Sequence, residues 1–357
     1  MSLPGAGGHP VPLDAADAAT FAALRTGAIE VVGQLTDASN GVFLVVVDGV
    51  RADGGRGYAV LKPVRYERPL WDFPDGTLAG REVAACLVDR AGGWGLVPAT
   101  VLRDDVHGAL QRWVGALPPG IPDDPDAPDA SETIAETGSP AGADAGSDAP
   151  AGGDSGATAT RGATATRGGA AASGGGARRR RPRPRRATEL HDPEDAHVVT
   201  LVKAGAATPG WLPVLPAQLA DGTDVVVAHA DLPRLASLAV LDAALNNTDR
   251  KGSHVLRDST GGLWGIDHGV SLHADDKLRT ILWGWQGDPL PPADIDRLGR
   301  LTQALAEDGE DSLSAALAEH ITAAEIEALR RRVARLLDAG VFPAPSGDWH
   351  SIPWPPL

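Results

Sequence analysis

Short runs of hydrophobic and β-branched residues recur through the first third of the chain, and polar turn-forming stretches separate them. The clearest turn is Thr36-Asp37-Ala38-Ser39-Asn40-Gly41, which lies between two such runs. Runs of this length and composition are typical of strands in an antiparallel sheet. The pattern predicts five strands, at residues 29–32, 42–47, 58–62, 97–102 and 110–114.

Helical spacing of hydrophobic residues appears once inside this region and once near the carboxyl terminus. Residues 77–91 have that spacing and are followed by Gly92-Gly93, which predicts a helix end. Asp231 and Pro233 favour the start of a helix that runs to residue 245. A hairpin is predicted at residues 253–257 and 263–267, and a last helix at 322–337. The second half is therefore predicted to be mainly helical.

A long segment between these halves lacks large hydrophobic residues. Residues 117–195 are rich in Ala, Gly, Asp, Pro, Ser and Thr, so they cannot bury enough surface to offset the entropy of ordering. The segment ends in a dense arginine run at residues 178–186, which is either a solvated part of the linker or an arm that binds an anionic partner. The predicted boundaries are a tail at 1–19, a first lobe at 20–116, the linker at 117–195, a second lobe at 196–345 and a tail at 346–357.

Overall composition narrows the function classes. The formal net charge is −15, which disfavours general binding to nucleic acid, and no nucleic-acid motif is present. No hydrophobic run is long enough for a membrane span, and the first residues lack the order of a signal peptide, so we expect a cytoplasmic protein. Cys86 is the single cysteine, which excludes an internal disulfide and predicts an inert buried thiol.

Two aspartates near the predicted hairpin suggest phosphoryl transfer. Asp249 follows Asn247-Thr248 at the end of a hydrophobic helix, so its carboxylate lies on a loop where it can orient an attacking hydroxyl. Asp267 ends a hydrophobic strand and is followed by Gly269, which suits a carboxylate that binds Mg²⁺. Arg250 could hold the loop or neutralise phosphate charge.

A lysine and a glutamate in the first half complete the candidate ATP site. Lys62 ends a predicted strand, from which its ammonium could reach nucleotide phosphates. Glu82 begins the following helix and could orient Lys62, although Arg81 and Glu67 are competitors for these roles. Ser39 and Asn40, in the first turn, could lie over the phosphates, but an ordinary hairpin turn is an equal explanation.

His254 complicates the metal site. It lies five residues after Asp249, where kinases usually carry an asparagine that binds the second metal ion. Imidazole is a poor ligand for Mg²⁺ and a better one for softer ions. Either the second metal is dispensable, Mn²⁺ is preferred, or activity is impaired. A structural histidine is the competing interpretation.

The ordered set of these residues resembles the phosphatidylinositol 3-/4-kinase-like superfamily, and most closely the type II phosphatidylinositol 4-kinases. It is also similar to a bacterial family of uncharacterised proteins with that kinase-like domain. The resemblance covers residues 28–116 and 197–340. The matching motifs are Leu61-Lys62-Pro63, the stretch from Gly80 to Asp89, the stretch from Trp94 to Thr100, Asn247-Thr248-Asp249-Arg250 and Ile266-Asp267-His268-Gly269.

This resemblance implies an α+β, bilobal protein-kinase-like fold with a small β-rich lobe and a mainly helical lobe. It implies that residues 111–115 lead into the adenine-binding hinge, with Trp113 and Val114 at the nucleotide. Lys62 would bind ATP phosphates, Asp249 would be catalytic and Asp267 would hold the metal. The segment after Asp267 is not markedly basic, so a hydroxyl of a small molecule or a protein is as open an expectation as one of an inositol headgroup.

The resulting expectation is a phosphotransferase that uses ATP and Mg²⁺ or Mn²⁺ to phosphorylate a hydroxyl on a lipid, a small molecule or a protein. The main alternative is a pseudokinase that binds nucleotide or a partner without turnover, as the histidine at position 254 allows. Nucleotidyl transfer is a further alternative, because the same pocket could hold ATP in the reverse direction.

Overall fold

A five-stranded antiparallel sheet forms the amino-terminal half, as the hydrophobic pattern predicts. The computed structural model describes residues 15–35, 40–127, 197–205, 208–347 and 350–357. Within them the fold class is α+β, as expected. The strands are β1 (Ile29–Leu35), β2 (Val42–Val47), β3 (Gly57–Pro63), β4 (Thr100–Arg103) and β5 (Gly108–Arg112), and their spatial order is β1-β2-β3-β5-β4.

Strand β3 lies at the centre of this sheet and separates its two faces. Successive side chains of a strand point to opposite faces. Ala59 and Leu61 belong to the main hydrophobic core. Tyr58 belongs to a second, smaller cluster with Leu44 on β2, which lies on the face that Lys62 shares. The lysine therefore projects from the face opposite the main core.

A helix near the amino terminus corrects part of the predicted tail. Residues 1–19 were expected to be loose, but α1 begins at Ala15 and runs to Thr26. Phe21 and Leu24 are buried in the main core, where they anchor the helix. The stretch is alanine-rich, and alanine favours helix strongly even where few large hydrophobic residues reveal the helical period.

Helix α2 (Leu78–Gly92) lies where residues 77–91 predict it, and buried polar groups attach it to the rest of the fold. Gly93 ends it in the left-handed conformation, with φ of 77°. The carboxylate of Asp89 accepts the backbone N–H of Leu96 at 2.9 Å. The indole of Trp94 donates to Asp294, in the second half, at 2.9 Å. The carboxyl end of α2 is thereby fixed against both halves.

The second half is mainly helical, but it begins with a three-stranded sheet that the hydrophobic pattern does not predict. Its strands are β6 (Val199–Lys203), β7 (Trp211–Gln218) and β8 (Asp224–Ala230), in the order β6-β8-β7. The remaining elements are α3 (Pro233–Leu245), the hairpin strands β9 (Val255–Arg257) and β10 (Leu263–Gly265), α4 (Pro292–Ala306), α5 (Leu313–Ala318) and α6 (Ala323–Ala339).

The ends of two helices test the predicted capping residues. Helix α6 follows the prediction and starts with a capping box, in which Thr322 and Glu325 bond to each other's backbone N–H groups. Asp231 was expected to cap α3, and this is wrong. Leu232 is the cap residue of α3, without a side-chain bond, and the Asp231 carboxylate accepts the indole N–H of Trp285 at 3.0 Å.

The predicted linker starts later than expected. Residues 117–127 were assigned to an unpacked segment, but Leu117 and Ile121 pack against Tyr58, whose hydroxyl donates to the Pro122 carbonyl at 2.8 Å. Two isolated hydrophobic residues are enough for this contact because the sheet face opposite is apolar. The rest of the linker, with the arginine run at 178–186, lies outside the described residues. No helix of the described residues has the length and apolarity needed to cross a membrane.

A fully buried histidine, His229, joins the three-stranded sheet to the segment Trp283–Trp285, which follows the β9–β10 hairpin. Nε2 of His229 accepts the backbone N–H of Gly284 at 3.0 Å, and the His229 ring packs on Trp285 with centroids 4.2 Å apart. Burial lowers the pKa of His229 to about 4, although the Ala230 carbonyl opposes the shift. The native state therefore needs the neutral imidazole.

We expect the stability of the fold to fall with acid partly through His229. Its pKa is about 4 in the native state and about 6.5 when unfolded, so the unfolded state takes up the proton first as the pH falls. The contribution of the neutral ring is complete above about pH 6.5. About 3 kcal/mol of it is lost by pH 4.

Urea unfolding of His229→Gln between pH 4 and 7.5 measures this effect, because glutamine can keep the acceptor for Gly284 but does not titrate. Its stability should vary less with pH than that of the wild type. His350→Gln, at an exposed histidine, is the matched control and should follow the wild-type profile. Identical profiles for His229→Gln and the wild type would contradict the assignment.

Candidate active site

The Lys62 ammonium joins carboxylates from both halves of the fold. The strand β3 directs Lys62 away from the main core, and its Nζ lies 2.5 Å from Oε1 of Glu82 and 3.2 Å from Oδ1 of Asp267. Burial alone would lower the pKa of Lys62, but the charges of Glu82 and Asp267 outweigh it and raise the pKa above its ordinary value. Lys62 therefore carries a stable positive charge.

Glu82 is buried in the second turn of α2, with its side chain only 3% exposed. Its Oε1 binds Lys62, whereas its Oε2 is buried without a hydrogen-bond partner among the described residues. Gly269 packs closely here, because a Cβ at that position would lie 3.5 Å from Oε1 of Glu82 and 3.4 Å from the Leu78 carbonyl oxygen. The turn after Asp267 thus packs directly against the start of α2.

The two competitors that the sequence offers for these roles have structural contacts instead. Glu67 accepts the backbone N–H groups of Leu78 and Ala79 at 3.1 and 2.8 Å, which satisfies the free donors at the start of α2. Arg81 is 1% exposed, and it donates to the Ser271 carbonyl at 2.9 Å and to Glu325 at 2.6 Å. Both residues hold the helix that carries Glu82 in its position.

Asp267 lies just beyond β10 and has an unusual backbone. Its φ is 64°, a left-handed conformation that costs energy for a residue other than glycine and is frequent at functional sites. Its carboxylate is 49% exposed and lies 3.4 Å from Nε2 of His254 as well as 3.2 Å from Lys62. The Lys62 ammonium holds the pKa of Asp267 well below its usual range. An ionised carboxylate thus faces the open side of the site.

The polar loop after α3 carries Asp249. Asn246 ends the helix in the left-handed conformation, and the Asn247 side chain accepts the Asp249 backbone N–H at 3.0 Å. The Asp249 carboxylate is 30% exposed and lies 2.8 Å from Nζ of Lys251 and 3.9 Å from the Arg279 guanidinium. Asp249 is therefore accessible to solvent and bordered by two cations.

Arg250 points away from Asp249, into the core, and connects the two aspartate-bearing segments. It is fully buried and forms a pair with Asp242 of α3 at 2.8 Å. The same guanidinium donates to the carbonyls of His254 and Ile266 at 3.0 and 2.7 Å, and it contacts Nε2 of His268 at 2.7 Å. Of the two predicted roles, holding the loop matches this geometry.

His254 lies between the loop and Asp267. Its side chain is 12% exposed, and its Nδ1 is buried without a hydrogen-bond partner among the described residues. Burial lowers the pKa of His254, and the Asp267 carboxylate only partly opposes this shift, so the imidazole is neutral near pH 7. A neutral imidazole beside a carboxylate can coordinate a divalent cation or donate a hydrogen bond.

Trp113 and Val114, which were predicted to lie at the nucleotide, follow the last residue of β5. The backbone N–H of Trp113 donates to the Tyr58 carbonyl at 3.0 Å, and Val114 is 7% exposed. Beyond them the chain turns at Gly115, where a Cβ would lie 3.4 Å from the Leu256 side chain. These residues therefore form the connection between the sheet and the β9–β10 hairpin.

Asn40 supports the neighbouring segment, because its side-chain oxygen accepts the Arg68 backbone N–H at 3.1 Å. Ser39 lies outside the described residues. The other residues of that turn, 36–38, also lie outside the described residues, so its role over the phosphates stays a prediction.

The donor set at the centre fits a divalent cation only in part. Asp267 and His254 supply one exposed carboxylate and one neutral imidazole within 3.4 Å of each other. The described residues contain no group of three or more His, Cys, Asp or Glu side chains arranged to hold a metal ion. Mg²⁺ commonly completes its coordination with water and substrate phosphates, so a site of this kind requires a bound nucleotide.

Sequence patterns assigned no role to two residues that matter to this geometry. Lys251 and Arg279 flank the Asp249 carboxylate, although neither belongs to the motifs that identify the loop. Arg279 is brought in by its backbone N–H, which donates to the Asn247 carbonyl at 2.9 Å. Gln111, where the segment predicted to lead into the hinge begins, is a buried polar residue on β5, 3% exposed.

A cavity of about 750 Å³ lies elsewhere. Phe43 and Leu61 line it, and they point to the face of the sheet opposite Lys62. Its volume therefore does not measure the candidate site.

Comparison with known proteins finds a relative along nearly the whole chain. No family model matches the sequence. Protein Rv2133c of Mycobacterium tuberculosis is 39% identical over 337 residues, which cover 94% of each chain. Its name states no activity, so the relationship adds no substrate or cofactor to the geometry described above.

Arg250 provides a test of how the site is held. We expect Arg250→Met to destabilise the fold by about 3 to 5 kcal/mol, because it leaves the Asp242 carboxylate buried without its cation. The measurement is urea unfolding at pH 7, with Arg331→Met as a matched control at an arginine that is 55% exposed. The control should unfold within about 0.5 kcal/mol of the wild type.

The double variant Arg250→Met/Asp242→Leu should recover part of that loss, since it removes the unpaired charge. An Arg250→Met protein that unfolds at the wild-type urea concentration would contradict the anchoring role.

Proposed function

This chain belongs to the family of Protein Rv2133c, and we propose that it is a phosphotransferase that uses ATP and a divalent metal ion to phosphorylate a hydroxyl group. The observation that carries the proposal is the contact of Lys62 with Glu82 and Asp267. One cation, one buried carboxylate and one exposed carboxylate come from a strand, a helix and a turn that are far apart in sequence. Kinases require this combination to hold nucleotide phosphates and metal.

The arrangement of elements supports a bilobal, protein-kinase-like fold of the phosphatidylinositol 3-/4-kinase-like type. The sheet β1–β5 with α2 corresponds to the small lobe, and the β9–β10 hairpin with α3, α4 and α6 corresponds to the helical lobe. Trp113, Val114 and Gly115 form the connection between them, which corresponds to a hinge. The base of ATP would lie near this connection, and its phosphates would lie at Lys62.

Each site residue then has a defined task. Lys62 would neutralise phosphate charge, while buried Glu82 keeps its ammonium in position. Asp267 and His254 would hold Mg²⁺ or Mn²⁺, which supplies charge neutralisation for the triphosphate when bound. Asp249 would accept the proton of the attacking hydroxyl, because its carboxylate is accessible and lies on the loop that Arg250 anchors.

The acceptor side is marked by Lys251 and Arg279 beside Asp249. Two cations at this point favour an acceptor hydroxyl with a nearby anionic group, whether on a lipid, a small molecule or a protein. They would also stabilise negative charge that develops during transfer.

One observation favours the second candidate function, a nucleotide-binding module without turnover. His254 stands where kinases usually have a metal-binding asparagine, and its Nδ1 lacks a partner among the described residues. Loss of one metal position can leave nucleotide binding intact while the reaction is slow. The two candidates share the nucleotide site and differ in phosphoryl transfer.

The shared nucleotide site has a direct test. Lys62→Ala and Asp267→Ala should each abolish metal-dependent ATP binding, because one removes the phosphate cation and the other removes the metal carboxylate. Isothermal titration calorimetry with ATP and either Mg²⁺ or Mn²⁺ measures it. Lys203→Ala and Asp296→Ala, at exposed positions of β6 and α4, are the matched controls. Wild-type affinity in the Lys62 and Asp267 variants would exclude this site.

Turnover is tested with Asp249→Asn. Transfer of label from γ-labelled ATP, to the protein itself or to added lipid, should be lost while ATP binding is retained. Asp296→Asn should leave transfer unchanged. Turnover by Asp249→Asn at the wild-type rate would contradict the catalytic role. A wild-type protein that binds ATP without any transfer would support the binding module, and label transferred from α-labelled ATP would indicate nucleotidyl transfer instead.

A further inference from the structure

A buried hydrogen-bond chain lies beside the face of the sheet that carries Lys62. Thr100 on β4 and Gln111 on β5 are 2% and 3% exposed. Oγ1 of Thr100 donates to the Pro98 carbonyl at 2.8 Å, and Nε2 of Gln111 donates to the same Oγ1 at 2.8 Å. None of the roles assigned above involves this hydrogen-bond chain.

The register of the strands puts Gln111 next to the proposed nucleotide position. Gln111 lies directly opposite Val60, and Ala109 lies directly opposite Lys62. Residues directly opposite in an antiparallel pair share a face, so the Gln111 side chain is on the same face as Lys62. Residues two apart on a strand are separated by about 7 Å. Gln111 therefore lies one such step from the phosphate lysine, toward the connection at Trp113.

The far end of that face is already covered. Val46 and Tyr58, which lie opposite each other there, belong to the cluster that Trp113, Leu117 and Ile121 pack against. A base attached to phosphates at Lys62 is thus confined to the level of Val60. This is the level at which Gln111 lies.

The hydrogen-bond chain fixes the orientation of the Gln111 amide. A hydroxyl has one proton, and Thr100 gives it to the Pro98 carbonyl, which can only accept. Oγ1 of Thr100 must then accept from the amide nitrogen, so Oε1 of Gln111 is turned away from it. The group that Gln111 offers to a ligand is consequently a hydrogen-bond acceptor.

We infer that Gln111, oriented by Thr100, selects a 6-aminopurine nucleotide over a 6-oxopurine nucleotide. The inference rests on the proposed ATP site and specifies its base. The exocyclic amine of adenine can donate to Oε1, whereas the oxygen at the same position of guanine or hypoxanthine would face a second acceptor. A site that must hydrogen-bond a ligand group rejects the analogue that lacks it, because buried polar groups are left unpaired.

Calorimetric titration of the wild-type protein with ATP, GTP and ITP in the presence of Mg²⁺ tests the selection. ITP carries the 6-oxo group without the 2-amino group of GTP, so it isolates the contact at Gln111. We expect ATP to bind at least about tenfold tighter than ITP or GTP, the ratio that one hydrogen bond of this kind gives.

Thr100→Val frees the amide to rotate and should strengthen ITP binding, which reduces the ATP to ITP ratio at least about threefold. Thr100→Ser restores the hydroxyl and should restore the ratio. Gln111→Leu should bind both nucleotides with similar affinity. Thr200→Val, at a buried threonine of β6, is the matched control, and circular dichroism confirms that each variant is folded.

Equal affinity of the wild type for ATP and ITP, or an unchanged ratio in Thr100→Val, would overturn the inference while nucleotide binding itself stands. A wild-type protein that binds none of the three nucleotides would instead overturn the proposed function, and the inference with it.

Discussion

The buried pair of Arg250 and Asp242 is the interaction on which the geometry of the site depends. A guanidinium in a dry core must have every donor paired, and here its partners are a helix carboxylate and carbonyls from the loop and the hairpin. Those partners lie on the segments that carry Asp249 and Asp267. The need to satisfy one charge therefore sets the spacing of both aspartates, which lie on either side of the β9–β10 hairpin.

A second set of buried charges places the other half of the site. Arg81 and Asp89 attach α2 to the segment after Asp267 and to the chain before β4, so Glu82 has little freedom to leave Lys62. Buried ion pairs contribute little net stability compared with hydrophobic packing, but they are specific, since a shifted helix would leave charges unpaired. Here the buried charges fix the position of α2, although their desolvation costs free energy.

Local pattern was enough to predict the five strands of the first sheet, α2, α6 and the β9–β10 hairpin. The motifs also put Lys62, Glu82 and Asp267 in one predicted site. Local pattern failed where the structure depends on contacts between residues that are distant in sequence. Helix α1 has few large hydrophobic residues to reveal its period, and residues 117–127 are ordered by a sheet face that no local window contains. The inward direction of Arg250 is equally invisible in sequence, because an arginine beside a loop aspartate is equally consistent with a solvent-facing role.

Charge at the centre of the site also constrains how a nucleotide could enter. One ammonium, that of Lys62, is shared by two carboxylates, so the group as it stands has an excess of negative charge. In the proposed function a triphosphate adds more, and the arrangement requires a divalent cation for balance. Glu82 is buried and bonded at 2.5 Å, whereas Asp267 is half exposed and bonded at 3.2 Å. The contact between Lys62 and Asp267 is the weaker one, and its release would give the ammonium to phosphate and the carboxylate to metal.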